Sequence, residues 1–256
     1  MLKRSASAIF ASIILLASAN AADEGTAVGV KPDALSRTGQ AEQILVVGSD
    51  VSIGDLIVTG PTGNVQLLFD DQTKLVVGPR STLEIETYLL NGNGSAEKFA
   101  VNALAGTFRF ISGTSPKPAY SIDTPTASIA IRGTKFDLTV ADGLSLTMLY
   151  EGALTQCEGT TCVELNSRCD IAVTGRTVSG LYDWPHRERP EYVGYFPLPN
   201  IQSAFRPEFR VMGAQACLAP RDTGSNASIS PSGGSSTPQT VTTTPAPPCN
   251  PRLFNC

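Results

Sequence analysis

One histidine, one tryptophan and three methionines are all that 256 residues provide, and charged side chains make up only 16%. The lone histidine, His186, rules out multi-histidine metal centres. Set between Pro185 and Arg187 in a loop, it also leaves no footing for a histidine-based triad. Charge falls well below the roughly 25% of ordinary soluble domains. Together with 23 Gly and 18 Pro, this excludes a helical bundle or coiled coil, which needs Glu, Lys and Leu at helical spacing. Nineteen Lys and Arg against 23 Asp and Glu, a net charge of −4, argue against electrostatic binding of nucleic acid. No G-x-S-x-G elbow, Walker loop or H-E-x-x-H is present.

What is there begins with an export signal. Lys3 and Arg4 precede an apolar stretch from Ala8 to Ala17, and Ala19-Asn20-Ala21 supplies small residues for cleavage. The stretch is too short for an ordinary transmembrane helix, which needs about 20 residues. Cleavage after Ala21 removes Lys3 and Arg4, taking the charge from −4 to −6, and leaves no span. The expected location is periplasmic or secreted. At the other end, residues 218–256 are dominated by Pro, Ser, Thr and Gly, a composition that cannot bury enough surface to offset ordering. A disordered tail is expected there.

Residues 39–180 read as short strands. Val65, Leu67 and Phe69 alternate with partners, Asp70-Asp71-Gln72-Thr73 turns the chain, and Leu75 and Val77 resume the pattern. Gly78-Pro79-Arg80-Ser81 turns again before Leu83 and Ile85. Further strands are expected over 107–111, 119–123, 128–131, 135–140 and 144–157, the last with a turn near Glu151-Gly152. The fold class is all-β: an irregular β-roll or sandwich with solenoid-like winding, preceded by a lead over residues 22–38. Strict self-similarity, the mark of a regular solenoid, is missing.

Residues 181–217 crowd Tyr182, Trp184, Tyr192, Tyr195, Phe196, Phe205 and Phe209 among five prolines. One reading is an exposed aromatic surface for a partner or glycan. The favoured one is an extension that packs its rings onto the β domain and seals a sheet face or edge.

Several of these segments resemble the FecR domain, named for the periplasmic regulator of ferric citrate uptake. The resemblance starts near Gly54-Asp55-Leu56 and runs through Gly63 to Leu75 and Gly106-Thr-Phe-Arg-Phe110. Its most specific element is Thr124-Pro125 followed by Arg132-Gly133-Thr134. Gln72 stands where the family commonly has glycine. Membrane-bound sensors of the family carry a cytoplasmic portion that engages a sigma factor, then a membrane helix. A signal directly ahead of the domain leaves room for neither, so the resemblance implies the free-standing, secreted form. No cofactor is expected.

Read from the residues alone, Arg132-Gly133-Thr134 is either an anion site or, preferably, structural. In the structural reading Gly133 allows close backbone approach, Arg132 pairs with a buried or edge carboxylate, and Thr134 caps a turn. Six cysteines behind an export signal suggest disulfides, with 15 connectivities open. Cys157 and Cys162 fit a hairpin bridge, Cys249 and Cys256 fit a terminal loop, and Cys169 with Cys217 remain by elimination. A metal site is disfavoured because paired C-x-x-C spacing and a nearby histidine are missing. Asp70, Asp71, Glu84 and Glu86 are candidate hydrolytic carboxylates, but adjacent or same-face placement reads more simply as turn and solvated strand.

The expected function is therefore non-enzymatic: a binding, scaffolding or regulatory module of the bacterial cell envelope, partnered by an envelope protein. The alternative is an envelope polysaccharide-binding protein or glycan hydrolase. A third reading, a surface protein spaced from its anchor by the Thr/Pro tail, uses the same composition.

Overall fold

A computed structural model describes residues 25–92, 94–115, 119–175, 178–183 and 190–218. The expected export signal, Trp184, His186, Cys249, Cys256 and nearly all of the expected tail lie outside the described residues. The fold is all-β. In chain order the strands are β1 (Gly25–Lys31), β2 (Ala34–Thr38), β3 (Ala41–Ile44), β4 (Asp50–Val51), β5 (Leu56–Thr59), β6 (Asn64–Phe69), β7 (Lys74–Val77) and β8 (Thr82–Leu90). They continue as β9 (Ala96–Ile111), β10 (Tyr120–Asp123), β11 (Ser128–Ala141), β12 (Leu144–Glu158), β13 (Thr161–Leu165), β14 (Asp170–Gly175) and β15 (Val178–Asp183). Sheet strands thus start at Gly25, within the stretch read as a lead: β1 pairs antiparallel with β6, and β2 with β5.

All fifteen strands belong to one mixed sheet, and three long strands fold it over on itself. The first half of β9 pairs with β8 and, in parallel, with β10, while its second half pairs with β7 and β11. β11 passes from β10 to β9 in the same way, and β12 passes from β13 to β14. The halves form two layers. Layer one holds β8, β10, β13 and the adjoining halves of β9, β11 and β12; layer two holds β1, β6, β7, β14, β15 and the other halves.

Glycine makes the bends possible. Gly106 in β9 has φ of 103°, and a Cβ there would lie 2.4 Å from the Ser81 Cα. Gly152 in β12 has φ of 88°, and a Cβ there would lie 2.0 Å from the Gly133 carbonyl oxygen. Both positions demand a conformation and a clearance that only glycine supplies. Bends within strands explain why the sequence pattern divides what the fold joins. Residues 128–131 and 135–140 are one strand whose register shifts between Arg132 and Lys135, and 144–158 is one strand without a turn at Gly152.

Rings close the space between the layers. Phe69 of layer two meets Phe99 of layer one edge-on at 4.8 Å and Tyr88 at 5.6 Å, and Phe110 meets Tyr120 at 5.7 Å. Offset and edge contacts of this kind add to the burial of large apolar area. At the β6–β7 turn, Gln72 adopts φ of 70° even though it has a Cβ. Asp71 holds the turn: its carboxylate accepts from the Thr73 amide at 3.0 Å, the Thr73 hydroxyl at 2.9 Å, Ser115 at 2.8 Å and Tyr120 at 2.7 Å. Asp71 is buried and fully hydrogen-bonded, a structural carboxylate rather than a reactive one.

Candidate functional site

In layer two, β14 and β12 from Ser145 to Tyr150 are buried on both faces because residues 190–218 lie across the outer side. Short 3-10 turns and one helical turn, α1 (Leu198–Ile201), carry Tyr192, Phe196, Leu198, Phe205 and Phe209 onto Val76, Leu146, Met148, Ile171 and Val173. Pro197, Pro199 and Pro207 break the segment into these turns, so it follows the sheet instead of standing off as a helix. The rings of Tyr192, Phe196, Phe205 and Phe209 are therefore cover, not a free aromatic platform.

Under that cover sits a polar group that the alternation of β9 points away from the core. Arg109, flanked by the inward Phe108 and Phe110, is completely buried. Its Nε and Nη2 donate to the two carboxylate oxygens of Asp137, its cross-strand partner on β11, at 2.7 and 2.9 Å. Nη1 donates to Gln202 Oε1 at 2.8 Å, and the same oxygen accepts the Val211 amide at 3.0 Å. Tyr150 of β12 donates its hydroxyl to Asp137 at 2.8 Å, and its ring centre lies 5.6 Å from the guanidinium carbon. Burial works against the Arg109 charge, yet the Asp137 carboxylate raises its pKa above the ordinary guanidinium value. Burial, and then Asp137, push the Tyr150 phenol well above its usual range. Each guanidinium nitrogen has a hydrogen-bond partner within the chain, so this cluster fastens the cover to the sheet.

The motif residues stand elsewhere. Thr124 and Thr126 share the Ser145 hydroxyl at 2.7 and 2.6 Å, and Thr124 accepts the Ala127 amide at 2.7 Å. Pro125 is exposed at this corner, which forms one wall of an open cleft of about 310 Å³. Arg132 is largely exposed and reaches Glu164, on the neighbouring edge strand, only at 4.0 Å. Gly133 lies at the β11 bend, with its carbonyl against Gly152. Thr134 donates its amide to Ser112 at 2.9 Å, while its buried hydroxyl has no partner. A fully enclosed, paired arginine occurs at Arg109, outside the motif. Arg132 lies on the open side of layer one, where an exposed pair at that distance contributes little.

Among the described residues two disulfides form, Cys157–Cys162 across the β12–β13 hairpin and Cys169–Cys217 between the sheet and the end of the cover. Asp70 is exposed at the β6–β7 turn, Glu84 accepts from Asn102 at 3.0 Å, and Glu86 is exposed. Among the described residues no group of three or more His, Cys, Asp or Glu is placed to hold a metal ion.

Several exposed apolar side chains that the strand pattern did not single out lie on and after β3. Between β3 and the start of β5, Ile44 is 78% exposed, Val46 59%, Val47 65% and Ile53 42%, while Leu45 between them is buried. Val47 also borders a cleft that includes Lys31, Pro32 and Arg206. β3 itself is an outer strand, paired with β2 alone and exposed at all four positions. The run Ile44-Leu45-Val46-Val47 in a turn-rich segment was the sequence signal of these side chains.

Residues 55–155 match the family model described as FecR protein. Two crystal structures of a protein from Parabacteroides distasonis, provisionally described as an anti-sigma factor, are similar at 13% identity, with TM-scores of 0.43 and 0.41. Each match covers 50% of this chain and 57% of that one, little more than half of that protein's length. A search of curated proteins finds no match.

Proposed function

We propose, from the match of residues 55–155 to the FecR family model, that the chain is an exported regulatory module that acts by binding an envelope protein. The observation that carries this reading is the exposed apolar run of Ile44, Val46 and Val47. Clustered exposure of large apolar side chains costs solvation in the free protein and is the usual signature of a surface made to be covered. Two disulfides are compatible with an oxidising compartment, and no helix of the described residues is long and apolar enough to cross a membrane. In this reading residues 1–21 are an export signal, 39–180 the β domain, 181–217 its cover and 218–256 a tail, located in the periplasm or beyond. Thr124, Pro125, Gly133 and Thr134 shape the corner and bend of β11, and the protein is not an enzyme. The rings of Tyr192, Phe196, Phe205 and Phe209 are occupied as cover, so a glycan surface would have to use other rings; Trp184 lies outside the described residues.

A photo-crosslinking residue at Val47, installed in the protein in its own envelope, tests the reading. A discrete protein adduct is expected, lost on Ile44→Asp while thermal unfolding is unchanged. No adduct at Val47, or the same adduct from a probe at Arg132, would overturn it.

A further inference from the structure

The two disulfides of the described residues stand in opposite surroundings. Cys169 and Cys217 are buried beneath the cover, among Leu146, Ile171 and Val211. Cys157 and Cys162 face each other near the tip of the β12–β13 hairpin, where Cys157 is half-buried and Cys162 exposed. Among the described residues β13 pairs only with β12, so no further described strand shields Cys162 through sheet pairing. On its other side Cys157 lies opposite Ser128 of β11. With Glu158 and Gly159 it also lines the open cleft whose far wall is Thr124–Ser128.

We propose that Cys157–Cys162 is a thiol-exchange site, reduced by a dithiol while the protein stays folded, whereas Cys169–Cys217 exchanges only on unfolding. A thiolate of the dithiol attacks the Cys162 sulfur. The Cys157–Cys162 bond breaks, a mixed disulfide forms at Cys162, and the Cys157 sulfur leaves as a thiolate that takes up a proton. The second thiol of the reductant then attacks its own sulfur in the mixed disulfide. Cys162 is freed and takes up a proton, and the reductant departs as an intramolecular disulfide. Two electrons and two protons pass from dithiol to protein, and access to the attacked sulfur governs the rate. The hairpin keeps its register without the bridge, because Leu154, Gln156 and Leu165 behind it are buried. Reduction frees the hairpin tip and so changes one wall of the cleft. The site is independent of the proposed partner surface.

The test uses the full chain under native conditions with dithiothreitol as the dithiol, timed trapping by iodoacetamide and peptide mapping of each cysteine. Cys157 and Cys162 are expected to be labelled at least about tenfold faster than Cys169 and Cys217, with the far-ultraviolet circular dichroism unchanged. Equal rates, earlier labelling of Cys169 and Cys217, or loss of the dichroism signal in step with reduction would overturn the proposal. The double variant Cys157→Ser/Cys162→Ser is expected to fold; failure to fold would contradict reduction in the folded state as directly.

Discussion

The outer faces of the two layers have been treated oppositely. On layer one, β8, β10 and the first half of β11 alternate buried and partly or fully exposed positions, and the outward side presents Glu84, Glu86, Ser128, Ala130 and Arg132. On layer two, β14 and β12 from Ser145 to Tyr150 are buried at every position, because the cover closes the side that the inter-layer core does not. One covered face yields alternation and two yield continuous runs. The difference also sorts the arginines: the same residue type is a fully enclosed, fully paired group at Arg109 and a solvated one at Arg132.

Substitution can break that contrast, and Arg109→Ala is the severest case. It leaves Asp137 buried without its counter-charge, and urea unfolding should show a loss of about 3–5 kcal/mol. The double change Arg109→Met/Asp137→Leu should cost clearly less, since removing both charges abolishes the unpaired one. Next comes the bridge that closes the cover. Cys169 and Cys217 are 48 residues apart, and replacing both with Ser should cost about 4 kcal/mol. Loss of Cys157–Cys162, which spans 5 residues, should cost only about 2 kcal/mol.

A pH series sharpens the comparison from the phenol side. The Tyr150 pKa is raised above its unfolded value of 10.0, so its contribution is fully present below about pH 10 and is lost as pH rises toward the folded value. Stability should fall above that pH by up to about 1.4 kcal/mol per unit for this group, and Tyr150→Phe should flatten the slope. Gln72→Gly, at a left-handed position outside the cover, should raise the urea midpoint by an amount equivalent to about 1 kcal/mol. The smallest effect belongs to Arg132→Ala, where thermal unfolding should stay within about 0.5 kcal/mol of the parent.

Much of layer one was legible in the sequence. Leu83 and Ile85 alternate with Thr82, Glu84 and Glu86, and turn residues mark the strand ends. The long strands were not, since Gly133 and Gly152 carry the signature of a boundary although they make bends. Arg109 escaped for a different reason. Between Phe108 and Phe110 its position reads as solvent-facing, and the group that encloses it, Gln202, comes from 93 residues away. The available clue was indirect: Leu-Ser-Leu-Thr-Met-Leu-Tyr over 144–150 has too few charges for a half-exposed strand. A second covered face follows from that, and with it a partner for any arginine placed there. Arg132 drew attention through its motif, which records the bend beside it and not the surroundings of its side chain.

The account rests most heavily on the cover being part of the core. Native-state hydrogen exchange across a urea series measures this at the amides of Phe205, Phe209 and Val211, bonded to Gln202 O, Arg206 O and Gln202 Oε1. They should exchange with the same free energy and urea dependence as the amides of Phe110 and Leu138 in layer two. Fast, urea-independent exchange at those three amides, with the sheet still protected, would show a detachable strap and contradict it.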